Sequence, residues 1–128
     1  TIAMLTSRLR ADGITSEIIM GDVSAGNRTE IFKRFQETPN PRVLVIQPQS
    51  AAHGVTLTAA NTVVWWAPTS SLETYAQANA RVHRKGQMHK CTVVQLQGSP
   101  VERRVYSLLD DKINVHNKVI ELYKDMLD

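Results

Sequence analysis

Cysteine and long apolar runs are scarce in this sequence. Its 128 residues include one cysteine, Cys91, which permits neither an internal disulfide nor a cysteine-based metal cluster and fits a reducing compartment. The longest apolar run, residues 63–67, is far shorter than the roughly 20 residues that cross a bilayer, and Arg8 and Arg10 interrupt any signal-peptide core. With 42% hydrophobic and 21% charged residues, the chain is expected to fold as one soluble intracellular domain.

Acidic residues are also scarce in the middle of the chain. Glu73 is the only one between Glu37 and Glu102, a stretch in which five residues are basic. Those basic residues are Arg42, Arg81, Arg84, Lys85 and Lys90. This excess suits a phosphate-bearing partner, either nucleic acid or nucleotide, although a solvated basic surface has the same composition.

Apolar periodicity predicts alternating helices and strands. A helical pattern at Ile2, Leu5 and Leu9 opens the chain, with no methionine before it, as in a fragment. Strands are expected at residues 14–20, 43–46, 62–66 and 91–96, and helices at residues 24–37, 70–84 and 100–127. Ser70 and Glu73 have the spacing of a capping box. This order predicts an open α/β sheet with right-handed crossovers and ligands beyond the carboxyl ends of its strands, near residues 21, 48–56, 67–70 and 97–100.

One amide and two guanidinium groups recur at helical spacing near residue 80. Residues 77–87 read QANARVHRKGQ, so Gln77, Arg81 and Arg84 stand at positions i, i+4 and i+7, along one stripe of a helix. Two neighbouring planar donors suit the spread negative charge of a transferring phosphoryl group. A solvated helical face has the same spacing.

The run QANARVHRKGQ resembles motif VI of superfamily 2 helicases, in the form found in Swi/Snf-like translocases and their phage relatives. The upstream segment SAAHGVTLTAANTVVW resembles motif V of that family and its extension. The residues of this segment that match are Gly54, Leu57, Thr58, Ala59 and Ala60. Further matches are the Gly21 turn, Arg28, Phe35 and the stretch PVERR.

This resemblance implies the second RecA-like lobe of a DNA-dependent ATPase. The implied fold is a three-layer α/β fold with a central, mainly parallel sheet, whose first strand would precede Thr1. Residues 1–112 would form the lobe and residues 113–128 a C-terminal helical extension. The sequence lacks the phosphate loop GxxxxGK[ST] and an Asp-Glu pair after an apolar strand. ATP and Mg²⁺ would therefore be bound mainly by an N-terminal lobe of the same polypeptide, and the isolated chain would not hydrolyse ATP.

The resemblance also implies residue roles. Arg81 and Arg84 would stabilise charge on the γ-phosphate, Gln77 would orient the arginines or the attacking water, and Gly54 would let the backbone approach nucleotide or DNA. These four residues are the expected nucleotide contacts. The expected DNA contacts are Gln49, Ser50, His53 and Lys85, and no metal ligands are expected in this chain.

One departure from the family concerns the start of motif V. The family places a small hydroxyl residue there, whereas this chain has Pro48, which supplies neither a hydroxyl nor an amide proton to a DNA phosphate. Gln49 or Ser50 would have to replace that contact.

Two other functions fit parts of the sequence. A non-catalytic domain that binds nucleic acid or protein would keep the fold and lose the motor. An unrelated nucleotide-binding enzyme would need a phosphate cradle, which Gly21 and Gly26 do not make. A motor would work in the cytoplasm of a bacterial or phage-infected cell, or in a eukaryotic nucleus.

Two adjacent tryptophans, Trp65 and Trp66, stand in an expected strand. Exposed aromatic side chains can stack on the bases of single-stranded nucleic acid. Adjacent strand residues face opposite sides of a sheet, however, so both indoles are expected to pack beneath helices of a two-sided α/β fold.

Overall fold

A computed structural model describes residues 2–51 and 55–127 of the chain. Its strands are β1 (Ser16–Ile19), β2 (Val43–Ile46), β3 (Thr62–Trp65) and β4 (Thr92–Gln95). Its helices are α1 (Ile2–Ala11), α2 (Ala25–Glu37), α3 (Leu72–Ala80) and α4 (Pro100–Leu127), and a short 3₁₀ turn spans Pro48–Ala51. The predicted α/β fold with alternating helices and strands is confirmed. Within the described ranges no helix is both long and apolar enough to cross a membrane.

The strands form two parallel pairs. Ser16 to Ile19 of β1 pair in register with Val43 to Ile46 of β2, and Thr62 to Trp65 of β3 pair with Thr92 to Gln95 of β4. Parallel pairing agrees with the prediction, but no ladder joins β2 to β3 among the residues that the structure describes. The four residues of β2 are half-buried.

Helix starts follow local side-chain chemistry. Ser24, the first residue of the predicted helix, caps α2 by accepting a hydrogen bond from the Asn27 amide at 3.2 Å. The predicted capping box at the start of α3 is wrong by one residue, because Ser71 accepts from the Thr74 amide at 3.1 Å. The Thr69 hydroxyl accepts the Ser71 N–H at 3.2 Å and thereby delays the helix start.

The hydrophobic core lies between the β3–β4 pair and helices α3 and α4. Trp65, Tyr75, Tyr106 and Leu109 form a buried cluster, in which the Trp65 and Tyr75 ring centroids are 4.9 Å apart. The Trp65 indole donates a hydrogen bond to Asn79 Oδ1 at 2.9 Å, so this buried polar atom is satisfied.

The opposite face of the β3–β4 pair is exposed. Strand alternation places Val64 and Trp66 there, with 56% and 53% of their surface accessible. Helices α3 and α4 lie on the Trp65 side of the pair. The prediction that both indoles pack beneath helices is therefore confirmed for Trp65 and wrong for Trp66.

Hydrogen bonds among Tyr75 of α3, Gln95 of β4 and Asp110 of α4 hold α4 against the rest of the fold. Gln95 Nε2 donates to the Tyr75 hydroxyl at 2.7 Å and to Asp110 Oδ2 at 3.1 Å, and the Tyr75 hydroxyl donates to Asp110 Oδ1 at 3.1 Å. Burial raises the pKa of the Tyr75 phenol, and the charge of Asp110 raises it further. Tyr75 therefore remains a neutral donor over the physiological pH range.

Helix α4 has a defined start and a long continuous course. The Ser99 hydroxyl accepts from the Glu102 amide at 3.2 Å, and the Glu102 carboxylate accepts from the Gly98 amide at 2.8 Å. A Cβ at residue 98 would lie 2.9 Å from that carboxylate, the flexible end of a side chain that can move aside. The predicted division between residues 112 and 113 falls inside this helix and stays a prediction.

Candidate functional site

The predicted stripe of Gln77, Arg81 and Arg84 is not a continuous helical stripe. Helix α3 ends at Ala80, and Arg81 is its C-cap. The Arg81 carbonyl, which a longer helix would offer to residue 85, instead accepts the Leu57 amide at 2.8 Å. Arg84 consequently lies in a turn that Gly86, at a φ of +100°, completes. The predicted helix end near Arg84 is thus wrong by one turn.

The two arginines nevertheless lie close together. Arg81 is buried, with 9% of its surface accessible, and burial lowers the pKa of its guanidinium, as does the nearby charge of Arg84. Arginine remains protonated in proteins despite such shifts. The charge of Arg84 therefore acts on a buried Arg81, and an anion bound nearby would interact favourably with both charges.

Arg84 is positioned by the connection between β2 and β3. Its Nη1 donates to the Val55 carbonyl at 3.2 Å and to Thr56 Oγ1 at 3.1 Å. Residues 55–57, which belong to the segment that resembles motif V, thus contact both arginines through Val55, Thr56 and Leu57. The structure brings together the two segments that the sequence singles out.

Gln77 lies on α3, where its Nε2 donates to Glu73 Oε1 at 3.1 Å across one helical turn. Both groups are near the helix surface, and an exposed pair of this kind contributes little stability. The Gln77 amide can therefore exchange this partner for a ligand group at little cost.

The structure describes only some of the other residues predicted to contact nucleotide or DNA. Ser50 is buried, with 7% of its surface accessible, and its amide donates to the Gln47 carbonyl at 2.8 Å in the 3₁₀ turn. Gln49 belongs to the same turn, but its side chain lies outside the described residues, as do His53 and Gly54 entirely. Lys85 is exposed beside Arg84.

Two glutamines at this site have roles that sequence reasoning missed. Gln87 Nε2 donates to the carbonyls of Ala60 and Val82 at 2.8 and 2.9 Å. Gln36 Nε2 donates to Thr58 Oγ1 at 2.7 Å, and Gln36 Oε1 accepts the Ala59 amide at 3.0 Å. For Gln87 the only signal in the sequence is its place beside Gly86 at the end of the motif VI-like run. No motif or periodic pattern in the sequence indicates a role for Gln36.

The site lies at the amino end of the β3–β4 pair. The Asn61 carbonyl, just before β3, accepts the amide of Thr92, the first residue of β4, and Gln87 binds the neighbouring Ala60. Residues 55–61, which contact the arginines and Gln87, lead directly into the amino end of β3. Sequence reasoning expected ligands at the carboxyl ends, whereas the arginines lie at the amino end because α3 runs back across the pair.

No three His, Cys, Asp or Glu side chains in the described part of the chain cluster as metal ligands. The donors of the site are guanidinium and amide groups, which bind anions rather than metal cations.

Comparison with known proteins decides the family, because the helicase conserved C-terminal domain matches residues 1–86. The chain belongs to this family. Its Swi/Snf-like character agrees with a protein of Arabidopsis thaliana described as SWI/SNF-related matrix-associated actin-dependent regulator of chromatin subfamily A member 3-like 1, which is 28% identical over 127 residues. That match covers 94% of the chain and 14% of the relative.

Two other relatives have helicase names. An ATP-dependent helicase of Schizosaccharomyces pombe is 30% identical over 112 residues, covering 87% of the chain and 11% of the relative. The human DNA annealing helicase and endonuclease ZRANB3 is 29% identical over 114 residues, covering 85% and 10%. The chain thus spans about a tenth of the length of these relatives.

Solved structures show the same fold. The C-terminal part of the Fun30 ATPase domain superposes with a TM-score of 0.75 at 18% identity, covering 84% of this chain and 35% of that one. The C-terminal domain of the DEAD-box protein Dbp5 gives a TM-score of 0.73 at 19% identity, covering 88% and 63%. The helicase C-terminal domain has the fold of these RecA-like lobes, as the resemblance implied; the phage origin stays a prediction.

Proposed function

We propose that this chain is the C-terminal motor lobe of an ATP-dependent DNA translocase. It would supply Arg81 and Arg84 as arginine fingers to ATP bound on an N-terminal lobe of the same polypeptide, and form part of the DNA groove. The observation that carries this proposal is the contact between the motif V-like and motif VI-like segments, in which Val55 binds the Arg84 guanidinium and Leu57 binds the Arg81 carbonyl.

The arginines would act on charge that develops at the γ-phosphate. Catalytic power requires donors that are already oriented and partly desolvated before the reaction. Arg84 is oriented by its bonds to Val55 and Thr56, and Arg81 is buried. Burial, and after it the charge of Arg84, lowers the pKa of Arg81, so negative charge that develops nearby would stabilise both cations. Gln77 would exchange its Glu73 partner to orient an arginine or the attacking water.

The proposal also assigns the binding of ATP and Mg²⁺ mainly to the N-terminal lobe. The described donors suit the phosphate chain of ATP but not Mg²⁺, which prefers oxygen ligands, so Mg²⁺ and most of the nucleotide belong to the N-terminal lobe. When bound, Mg²⁺ neutralises β- and γ-phosphate oxygens. The role places the chain where DNA is found, in the bacterial cytoplasm or the eukaryotic nucleus.

The isolated chain is expected neither to hydrolyse ATP nor to bind it with submicromolar affinity, because it lacks a phosphate loop. Calorimetric titration with ATP and Mg²⁺, followed by a phosphate-release assay, measures both. A submicromolar site in the isolated chain would favour an independent nucleotide-binding enzyme and contradict the two-lobe proposal.

The isolated chain is also expected to bind duplex DNA weakly, with a dissociation constant of roughly 10⁻⁴ to 10⁻⁶ M that weakens steeply as salt rises. If Lys85 contacts a phosphate, Lys85→Ala should weaken binding for all sequences and reduce the log–log salt slope by about 1. Fluorescence anisotropy with two unrelated duplexes at several salt concentrations measures both effects.

Lys112→Ala, which removes an exposed lysine of α4, is the matched control and should leave the slope unchanged. Tight binding that is insensitive to salt or selective for sequence would favour a non-catalytic binding domain instead.

A further inference from the structure

Gln36, near the end of α2, forms hydrogen bonds to residues 58 and 59 in the connection between β2 and β3. Its side-chain amide uses both ends, donating to Thr58 Oγ1 at 2.7 Å and accepting from the Ala59 amide at 3.0 Å. Gln36 is half-buried, so water competes only partly for these bonds. A two-ended contact fixes both the position and the orientation of residues 58 and 59.

The clamped residues lead directly to Arg84. Thr58 follows Leu57, whose amide binds the Arg81 carbonyl, and Thr56 and Val55 accept from the Arg84 guanidinium. On the far side, Gln87 holds the Ala60 carbonyl. Residues 55–60 are therefore fastened to α2 at one point and to residues 81–87 at the others.

This connection has little regular structure of its own. Between Ile46 of β2 and Thr62 of β3, the described residues contain only the 3₁₀ turn Pro48–Ala51. A long irregular connection takes its geometry from the side chains that hold it. Among the described side chains of α2, Gln36 alone has a hydrogen bond to residues 55–60 in the structure.

We propose that Gln36 is a positioning residue for ATP hydrolysis, which acts through residues 55–59 to hold the Arg84 guanidinium. The inference rests on the proposed role of Arg84. Gln36 itself does not touch nucleotide; it sets where Val55 and Thr56 present their oxygens to Arg84. A displacement of about 1 Å in a group that acts on the transition state can lower the rate about 100-fold.

The test uses the complete ATPase that carries this chain, with DNA at saturation. Gln36→Met keeps the side-chain size and a good helix former but removes both hydrogen bonds. We expect it to lower kcat about 10-fold to 100-fold while the KM for ATP changes by less than about 3-fold. Gln36→Glu should retain near-normal kcat, because a carboxylate accepts from the Ala59 amide and the Thr58 hydroxyl can rotate to donate.

A second variant reaches the same contact from the loop side. Thr58→Val is nearly isosteric and removes one of the two bonds, so it should give a smaller loss of kcat, with no further loss when combined with Gln36→Met. This variant decides the question if Gln36→Met does not fold. Glu37→Ala, at the exposed neighbouring position, is the matched control and should leave kcat unchanged.

Combination with Arg84→Ala separates positioning from general destabilisation. If Gln36 acts through Arg84, the double variant Gln36→Met/Arg84→Ala should be no slower than Arg84→Ala alone. A normal kcat in Gln36→Met, or an equal loss of kcat with and without Arg84, would overturn the inference while leaving the role of Arg84 intact. A normal kcat in Arg84→Ala would instead overturn the proposed function itself.

Discussion

Replacing Arg84 with alanine is expected to lower DNA-stimulated ATP hydrolysis by about 10³-fold to 10⁵-fold, the range that an arginine finger contributes to phosphoryl transfer. The loss should appear in kcat, because Arg84 acts on charge that develops in the transition state and is not the main anchor of bound ATP. Steady-state phosphate release by the complete ATPase, at saturating ATP and DNA, measures the effect.

Two controls sharpen this result. Arg84→Lys keeps the positive charge but loses the planar guanidinium, whose other nitrogens can reach a phosphoryl oxygen while Nη1 donates to Val55 and Thr56, so we expect it to recover little activity. Lys85→Ala removes the adjacent exposed cation and should change the DNA concentration needed for stimulation rather than kcat. If Arg84→Ala hydrolyses ATP at the normal rate, the guanidinium does not act on the transition state and the motor assignment is wrong.

Trp65→Ala is expected to destabilise the purified chain by about 3 to 5 kcal/mol, as for other large buried aromatic side chains. The substitution removes the indole from the cluster with Tyr75, Tyr106 and Leu109 and leaves Asn79 Oδ1 without its donor at 2.9 Å. Such a loss is a large part of the roughly 5 to 15 kcal/mol by which domains are stable. Urea unfolding followed by circular dichroism measures the free energy of unfolding.

The neighbouring tryptophan provides a control of the same chemistry. Trp66 has 53% of its surface exposed on the other face of β3, so Trp66→Ala should cost clearly less than Trp65→Ala, about 1 to 2 kcal/mol. Equal destabilisation by the two substitutions would mean that Trp66 is covered in solution and that the open face of the β3–β4 pair is not open.

The order of elements was predictable from local signals. A run of four apolar β-formers is sufficient for β2, and Ser24 sets the start of α2 through one hydrogen bond to Asn27. The start of α3 was missed because two adjacent serines compete for the capping position and the Thr69 hydroxyl decides between them. That decision depends on three-dimensional geometry rather than on residue type.

The exposed face of Trp66 was missed for a different reason. Alternation predicts which residues share a face of a sheet, but it does not predict which face receives a covering helix. In the described structure α3 and α4 pack on the face of Trp65.

At the site, the sequence identified the two segments that meet but not how they meet. Regular helical spacing suggested one stripe through Arg84, whereas the Leu57 amide takes the Arg81 carbonyl and ends the helix. Gln36 is separated from its partners by more than twenty positions in the chain. A long-range contact made by an ordinary surface-type residue leaves no periodic signal.

The hydrogen bond from the Trp65 indole to Asn79 has a consequence for how such chains diverge. Within the run QANARVHRKGQ, Asn79, Val82 and Gln87 serve the folded state, whereas Arg81 and Arg84 are proposed to serve hydrolysis. Selection for a folded scaffold alone would therefore preserve the first set more strictly than the second. A descendant that had lost its motor would still match most of the run, and the residue at position 84 would distinguish it from a working ATPase.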